Sequence, residues 1–187
     1  AAGRGERMRP LTDECPKPLL RVGGRSLLEW HLLALSRAGI REIVINHAWR
    51  GAMIPTALGD GARYGVQIAY SDEGDTALET AGGIIQALPL LGEDPFLVVN
   101  GDIWTDFDYS RPPQLDEAAK GSLVLVPNPP QHPRGDFALL ARADGSSMGD
   151  VLADPARLEA PDAPSRFTFS GIAVYRPAFF AGCSPGR

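Results

Sequence analysis

The residues best suited to chemistry stand at the front of the chain, in Gly3-Arg4-Gly5-Glu6-Arg7-Met8-Arg9-Pro10-Leu11-Thr12 and then Pro16-Lys17-Pro18-Leu19. Glycines at 3 and 5 let a backbone approach a phosphate and aim N–H groups at it. Arg7 adds a forked donor for phosphate oxygens, and Lys17 adds a compact positive charge. The first 25 residues carry Arg4, Arg7, Arg9, Lys17, Arg21 and Arg25 against Glu6, Asp13 and Glu14, in a chain of net charge −5. A basic segment in an acidic protein points to a localised anionic ligand and away from a general nucleic-acid surface. A P-loop would require a Gly-Lys-Ser/Thr run, which is absent, and a dinucleotide fingerprint would require glycine where Met8 stands.

Two later segments carry further polar chemistry. Leu78-Glu79-Thr80-Ala81-Gly82-Gly83 is a glycine-rich turn leading into a helix. Its backbone suits the reading of a base edge, and it equally suits a plain helix start capped by Thr80. Asn100-Gly101-Asp102 ends the apolar run Pro95-Phe96-Leu97-Val98-Val99. A carboxylate at a strand end fits Mg²⁺, a hard cation that bridges phosphates, although Asn-Gly-Asp is also good turn chemistry. Asp106 and Asp108 read as turn or cap residues. His31, His47 and His132 show no ligand spacing, and no Ser/His/Asp or Cys/His set is evident. Trp30, Trp49 and Trp104 read as packing residues.

Alternating strand and helix patterns must position these groups, which argues for an α/β fold with a parallel sheet and covering helices. Ser26 caps a helix carrying Leu28, Leu32 and Leu35, and Gly39 ends it. Residues 42–46, 66–70, 95–99, 122–126, 136–141 and 167–175 read as strands. Residues 53–58 and 81–88 read as helices, 127–135 as a loop and 142–166 as a polar, mobile excursion. The 187 residues suffice for a single domain, and 44% hydrophobic with 22% charged residues is ordinary for a soluble protein. Cys15 and Cys183 suit free thiols of a cytoplasmic protein. No segment approaches the roughly 18 apolar residues of a membrane span, so no membrane partner is expected. A glycine loop at residue 3 normally follows a strand, so a first strand and a C-terminal segment are expected to be missing from residues 1–187.

The front pattern Ala1-Ala2-Gly3-Arg4-Gly5-Glu6-Arg7-Met8-Arg9-Pro10-Leu11-Thr12, followed by Pro16-Lys17-Pro18, resembles the signature of the sugar-1-phosphate nucleotidyltransferases. The resemblance implies a Rossmann-like three-layer sandwich with a mostly parallel central sheet. It implies nucleotide contacts at Ala1, Ala2, Gly3, Gly5, Glu79, Thr80 and Gly82, with catalytic roles for Arg7 and Lys17. Gly3, Gly5 and Arg7 would hold the β- and γ-phosphates, and Lys17 would neutralise the α-phosphate. Asp102 would carry Mg²⁺. Gly135 and Asp136 would face the sugar, as would Ser170 and Gly171, although Phe169 stands where many relatives have Asn. A second metal-binding Asp, found in the family within Asp-x-Gly-Thr, has no match after Gly171. The partners implied are a nucleoside triphosphate and a sugar 1-phosphate, with a monomer or small homo-oligomer as the assembly. Within the family, residues 78–80, 128–137 and 168–171 are most similar to the uridylyltransferases that use UTP and N-acetylmuramate 1-phosphate in cell-wall recycling. Mannose-1-phosphate guanylyltransferase is the alternative, because it shares the first loop and the Thr-Ala-Gly turn. A glycosyltransferase using Asp106-Phe107-Asp108, and a non-catalytic nucleotide-sugar sensor, are the readings from other classes.

Overall fold

The computed structural model describes residues 2–74, 77–142, 148–153 and 164–183. The front segment winds through short 3-10 turns at Glu6–Met8 and Lys17–Leu19 around a one-turn helix, α1 (Leu11–Glu14). A hairpin follows, β1 (Arg21–Val22) against β2 (Arg25–Ser26), which the sequence did not suggest. Gly23 and Gly24 turn it with φ of 61° and 85°, a region open to glycine.

Helix α2 (Leu27–Arg37) starts at Ser26 as expected. The Ser26 hydroxyl accepts from the Glu29 N–H at 3.2 Å, and the Glu29 carboxylate accepts from the Ser26 N–H at 2.8 Å. Such a reciprocal cap contributes about 1 kcal/mol. Leu28, Leu32 and Leu35 form the buried stripe of α2, and His31 is buried among them. Strand β3 (Glu42–His47) pairs in parallel with β4 (Gln67–Asp72), from Glu42 opposite Gln67 to His47 opposite Asp72. Parallel neighbours need a crossover, and it includes α3 (Met53–Leu58). Leu28, Leu32, Ile45, Ile54, Leu58, Tyr64, Val66 and Ile68 make one core between these elements.

Helix α4 (Glu79–Leu91) precedes β5 (Phe96–Val99), β6 (Gly121–Val126), β7 (Phe137–Ala141), β8 (Gly149–Leu152) and β9 (Arg166–Tyr175). Strand β9 is antiparallel to β5, β6 and β7. Tyr175 is paired with both Phe96 and Gly121, so β9 lies between β5 and β6, and those two strands run the same way. The α/β layering is as expected, with β9 as the reversed strand. The stretch expected to be one polar excursion contains β8, whose residues pair with β7 from Ala138 opposite Leu152 to Ala141 opposite Gly149. Short strands on an exposed arm carry too few apolar residues to stand out in sequence.

Strand β3 is bonded to β4 alone and β5 to β9 alone, so each keeps one edge unpaired among the described residues. Residues 42–46 and 95–97 line opposite walls of an apolar slot of about 540 Å³, floored by Leu28, Leu32 and Leu35 of α2.

Gly171, inside β9, has φ +88°. A Cβ there would stand 3.0 Å from the side chain of Asn100, whose N–H donates to the Gly171 carbonyl at 2.8 Å. Gly171→Ala is therefore expected to destabilise the fold by roughly 1–3 kcal/mol in urea unfolding.

Candidate active site

The front segment, the start of α4 and the end of β5 enclose one cleft of about 650 Å³. Its wall includes Ala2, Gly3, Gly5, Arg7 and Lys17 from the front, Glu79 and Thr80 from α4, and Asn100, Gly101 and Asp102 after β5. The front loop is held from behind. Gly5 has φ +64°, and its carbonyl accepts from the Thr12 hydroxyl at 2.9 Å. A Cβ on Gly5 would meet Thr12 at 3.0 Å and Lys17 Cβ at 3.1 Å, so glycine lets the loop close on the segment that carries the lysine. Trp49, just after β3, donates its indole N–H to the Thr12 carbonyl at 3.3 Å. The Arg4 guanidinium lies 4.4 Å from the Trp49 ring centroid, a cation–π contact.

Lys17 Nζ donates to Asp102 Oδ2 at 2.7 Å. Both side chains are partly open to the cleft, at 28% and 41% exposure, so the pair adds little to stability. Its weight is positional, because it sets a cation and a carboxylate at one point of the wall. No group of three or more His, Cys, Asp or Glu side chains placed to hold a metal ion occurs among the described residues. One partly open carboxylate beside a glycine-lined basic loop nonetheless fits Mg²⁺, which takes few protein ligands and completes its shell with substrate oxygens and water.

The segment after Asp102 is tied to α2 by His31, a contact that ligand spacing could not suggest. His31 Nε2 lies 2.9 Å from the Ile103 carbonyl, and Nδ1 lies 3.4 Å from the Tyr109 hydroxyl. A neutral ring that donates from Nε2 and accepts at Nδ1 satisfies both contacts. Burial foremost holds the His31 pKa below its ordinary 6.5, and burial pushes Tyr109 up to about 12. The available signal was a histidine on the apolar stripe of α2. Trp104 corrects the packing expectation: it is 70% exposed, while the adjacent Ile103 packs inward. Trp30 donates to the Val22 carbonyl at 2.9 Å and lies under Arg25.

The turn before α4 is anchored by Glu73, which sequence reasoning missed. Its buried carboxylate accepts from the Asn46 amide at 2.6 Å and from the Leu78 N–H at 2.7 Å. A Cβ on Gly83 would fall 2.4 Å from Glu73 Oε1, so glycine is required where α4 passes this carboxylate. Gly82 is buried within α4 and is not on the cleft wall.

Gly135, Asp136, Ser170 and Gly171 do not line the cleft. Asp136 accepts from the Phe169 N–H at 2.8 Å and lies 3.0 Å from His132 Nε2, and the Gly135 carbonyl accepts from Arg166. These contacts tie the loop before β7 to β9. Ser170 Oγ accepts from the Ile172 N–H, and Gly171 reaches the cleft only through Asn100. Asp108 caps Ser110 as expected for a turn residue, and Phe107 packs inward. Ala1 lies outside the described residues.

A neutral buried His31 makes stability depend on pH. The unfolded chain takes up the proton near pH 6.5 and the folded chain only at lower pH, so stability holds above about 6.5 and falls as pH drops below it. Urea unfolding between pH 7.5 and 5 should show this decline, and His31→Gln should flatten it.

The sequence pattern of the family described as nucleotidyl transferase matches residues 1–151. The chain is 54% identical over 190 residues to N-acetylmuramate alpha-1-phosphate uridylyltransferase of Neisseria meningitidis, covering 100% of this chain and 77% of that protein. It is 30% identical over 189 residues to UTP–glucose-1-phosphate uridylyltransferase of Synechocystis, covering 95% of this chain and 48% of that protein. A mannose-1-phosphate guanylyltransferase of Mycobacterium tuberculosis is 35% identical over 109 residues, which are 58% of this chain and 30% of that protein. A solved structure of UDP-glucose pyrophosphorylase with UDP-glucose superposes with a TM-score of 0.64 at 19% identity, covering 96% of this chain and 75% of that one. At that identity the likeness speaks to the fold alone.

Proposed function

Given that the chain belongs to the nucleotidyl transferase family, we propose that it transfers UMP from UTP to N-acetylmuramate 1-phosphate and releases pyrophosphate. The observation that carries this reading is the Lys17–Asp102 pair at the wall of a glycine-lined, arginine-bearing cleft. The 54% identity to a uridylyltransferase of that sugar phosphate supports the choice of substrates.

In this reading a phosphate oxygen of the sugar phosphate attacks the α-phosphorus in line, and the bond from that phosphorus to the pyrophosphate oxygen breaks. The nucleophile is already anionic, so no side chain need remove a proton. The N–H groups of the Gly3–Gly5 loop and Arg7 hold the departing pyrophosphate. Lys17 neutralises the crowded α-phosphate, where positioned charge lowers the barrier most. Phosphate oxygens entering the cleft compete with Asp102 for Lys17 and so free the carboxylate. Mg²⁺ bound there with the triphosphate would supply further charge neutralisation. No helix among the described residues is long and apolar enough to cross a membrane. We place the reaction in the cytoplasm, where Cys15 and Cys183 would stay free thiols.

We infer a further strand ahead of Ala1. Asn46, Val99 and Gly101 line both the cleft and the slot between β3 and β5, and buried Ala2 lines the cleft beside them. A segment running into Ala2 would therefore end level with the carboxyl ends of β3 and β5, parallel to both, and bond to their free edges. Buried parallel strands are continuously apolar. Extending the chain before Ala1 by about six Val, Ile and Leu residues should raise the unfolding temperature and protect amides of residues 42–46 from exchange. An unchanged exchange pattern would leave the slot as an open groove.

Pyrophosphate release is the direct test of function, with UTP, GTP, dTTP and CTP crossed against muramate, mannose and glucose 1-phosphates. Product is expected from UTP with N-acetylmuramate 1-phosphate; product from GTP with mannose 1-phosphate alone would replace the substrates and keep the reaction. Lys17→Ala should lower kcat by roughly 10²–10³-fold. An unchanged rate would remove Lys17 from the chemistry.

A further inference from the structure

We propose that Trp49 is a positioning residue for the triphosphate: its ring holds Arg4 off the cleft wall, and Arg4 serves the site through that stack and not as a phosphate ligand. The proposal rests on the cleft being a nucleotide site and adds the means by which the front loop keeps its shape. Composition groups Arg4 with Arg7 and Lys17 as basic residues of one anion-binding segment. The structure separates them. Gly3, Gly5, Arg7 and Lys17 line the cleft, and Arg4, between the two glycines, does not. Its guanidinium lies 4.4 Å from the Trp49 ring centroid, and its Nη1 lies 3.9 Å from Glu6 Oε1. An indole face is the best aromatic partner for a cation.

The front loop has little packing of its own. The turn Glu6–Met8 buries no residue, and Gly3 and Arg4 are exposed. Trp49, by contrast, is set on a packed turn. It follows β3, and both His47 and Ala48 before it are buried. The Gly51 N–H donates to the Ala48 carbonyl at 2.7 Å, and the N–H of the fully buried Ile54 donates to the Gly51 carbonyl at 2.9 Å. Arg50 has φ +50° in this turn, a backbone that side chains adopt at a cost, and its guanidinium lies 5.8 Å from the Trp49 centroid. From this fixed base the indole reaches the front segment twice. It stacks with Arg4, and its N–H donates to the Thr12 carbonyl, while the Thr12 hydroxyl donates to Gly5. Both contacts converge on the glycine loop that lines the cleft.

The test is a double-mutant cycle on UTP binding, read by calorimetric titration of the chain. Arg4→Ala should weaken UTP binding roughly two- to fivefold, the worth of a partly exposed cation–π contact. Because Arg4 is exposed, the same change should move the unfolding temperature by less than about 2 °C. Trp49→Leu should weaken UTP binding at least as much. In the Trp49→Leu background Arg4→Ala should cost nothing further, because the ring through which it acts is gone. Trp49→Phe keeps an aromatic face and should retain part of the Arg4→Ala loss; it carries the cycle if Trp49→Leu does not fold. An Arg4→Ala loss of the same size in every background would make Arg4 a direct phosphate ligand and overturn the proposal. UTP affinity unchanged by replacement of Trp49 would leave that ring a packing residue and overturn it as well. No UTP binding by the unaltered chain would overturn the nucleotide site itself, a result distinct from both.

Discussion

Lys17 and Asp102 are 85 positions apart in the chain and 2.7 Å apart in space. Everything that makes the cleft usable follows from holding that pair at its wall. A lysine is a point charge on a flexible stem, and a strand-end carboxylate is fixed by its backbone. Their attraction gives the flexible partner one place to be. The pair is partly open to the cleft, so a ligand of higher charge can take it apart.

The surrounding structure reads as a set of restraints on those two groups. Thr12 and Trp49 fix the front loop from behind, and Gly5 lets it close on the segment that carries Lys17. On the other side, Asn100 is held against Gly171 of β9, and Ile103 is held by His31 of α2. Asp102 thus sits between two anchored neighbours. The turn at the start of α4 is anchored by the buried Glu73. The restraints use neutral or buried groups, which leaves the charged side chains of Arg7, Lys17, Glu79 and Asp102 on the cleft wall.

Much of this was legible in local pattern. Gly3, Gly5, Arg7 and Lys17, singled out by their spacing, line one cleft, and the apolar run ahead of Asp102 is a strand. The Ser26 cap and the stripe Leu28, Leu32, Leu35 gave α2 nearly to the residue. The residues expected to face the sugar do not line the cleft. Gly135 and Asp136 have the composition of a binding loop, yet their hydrogen bonds are spent joining that loop to β9. Trp104 has the composition of a core residue and lies in solvent, because Ile103 takes the inward position.

The chain by itself determined its helices, its principal strands and its family, because each depends on residues near one another in sequence. Only the tertiary structure decided that β9 runs against its neighbours, that His31 and Glu73 restrain the site, and that Lys17 meets Asp102. Those outcomes depend on pairings between distant segments, where burial and hydrogen-bond geometry choose among partners that composition leaves equivalent.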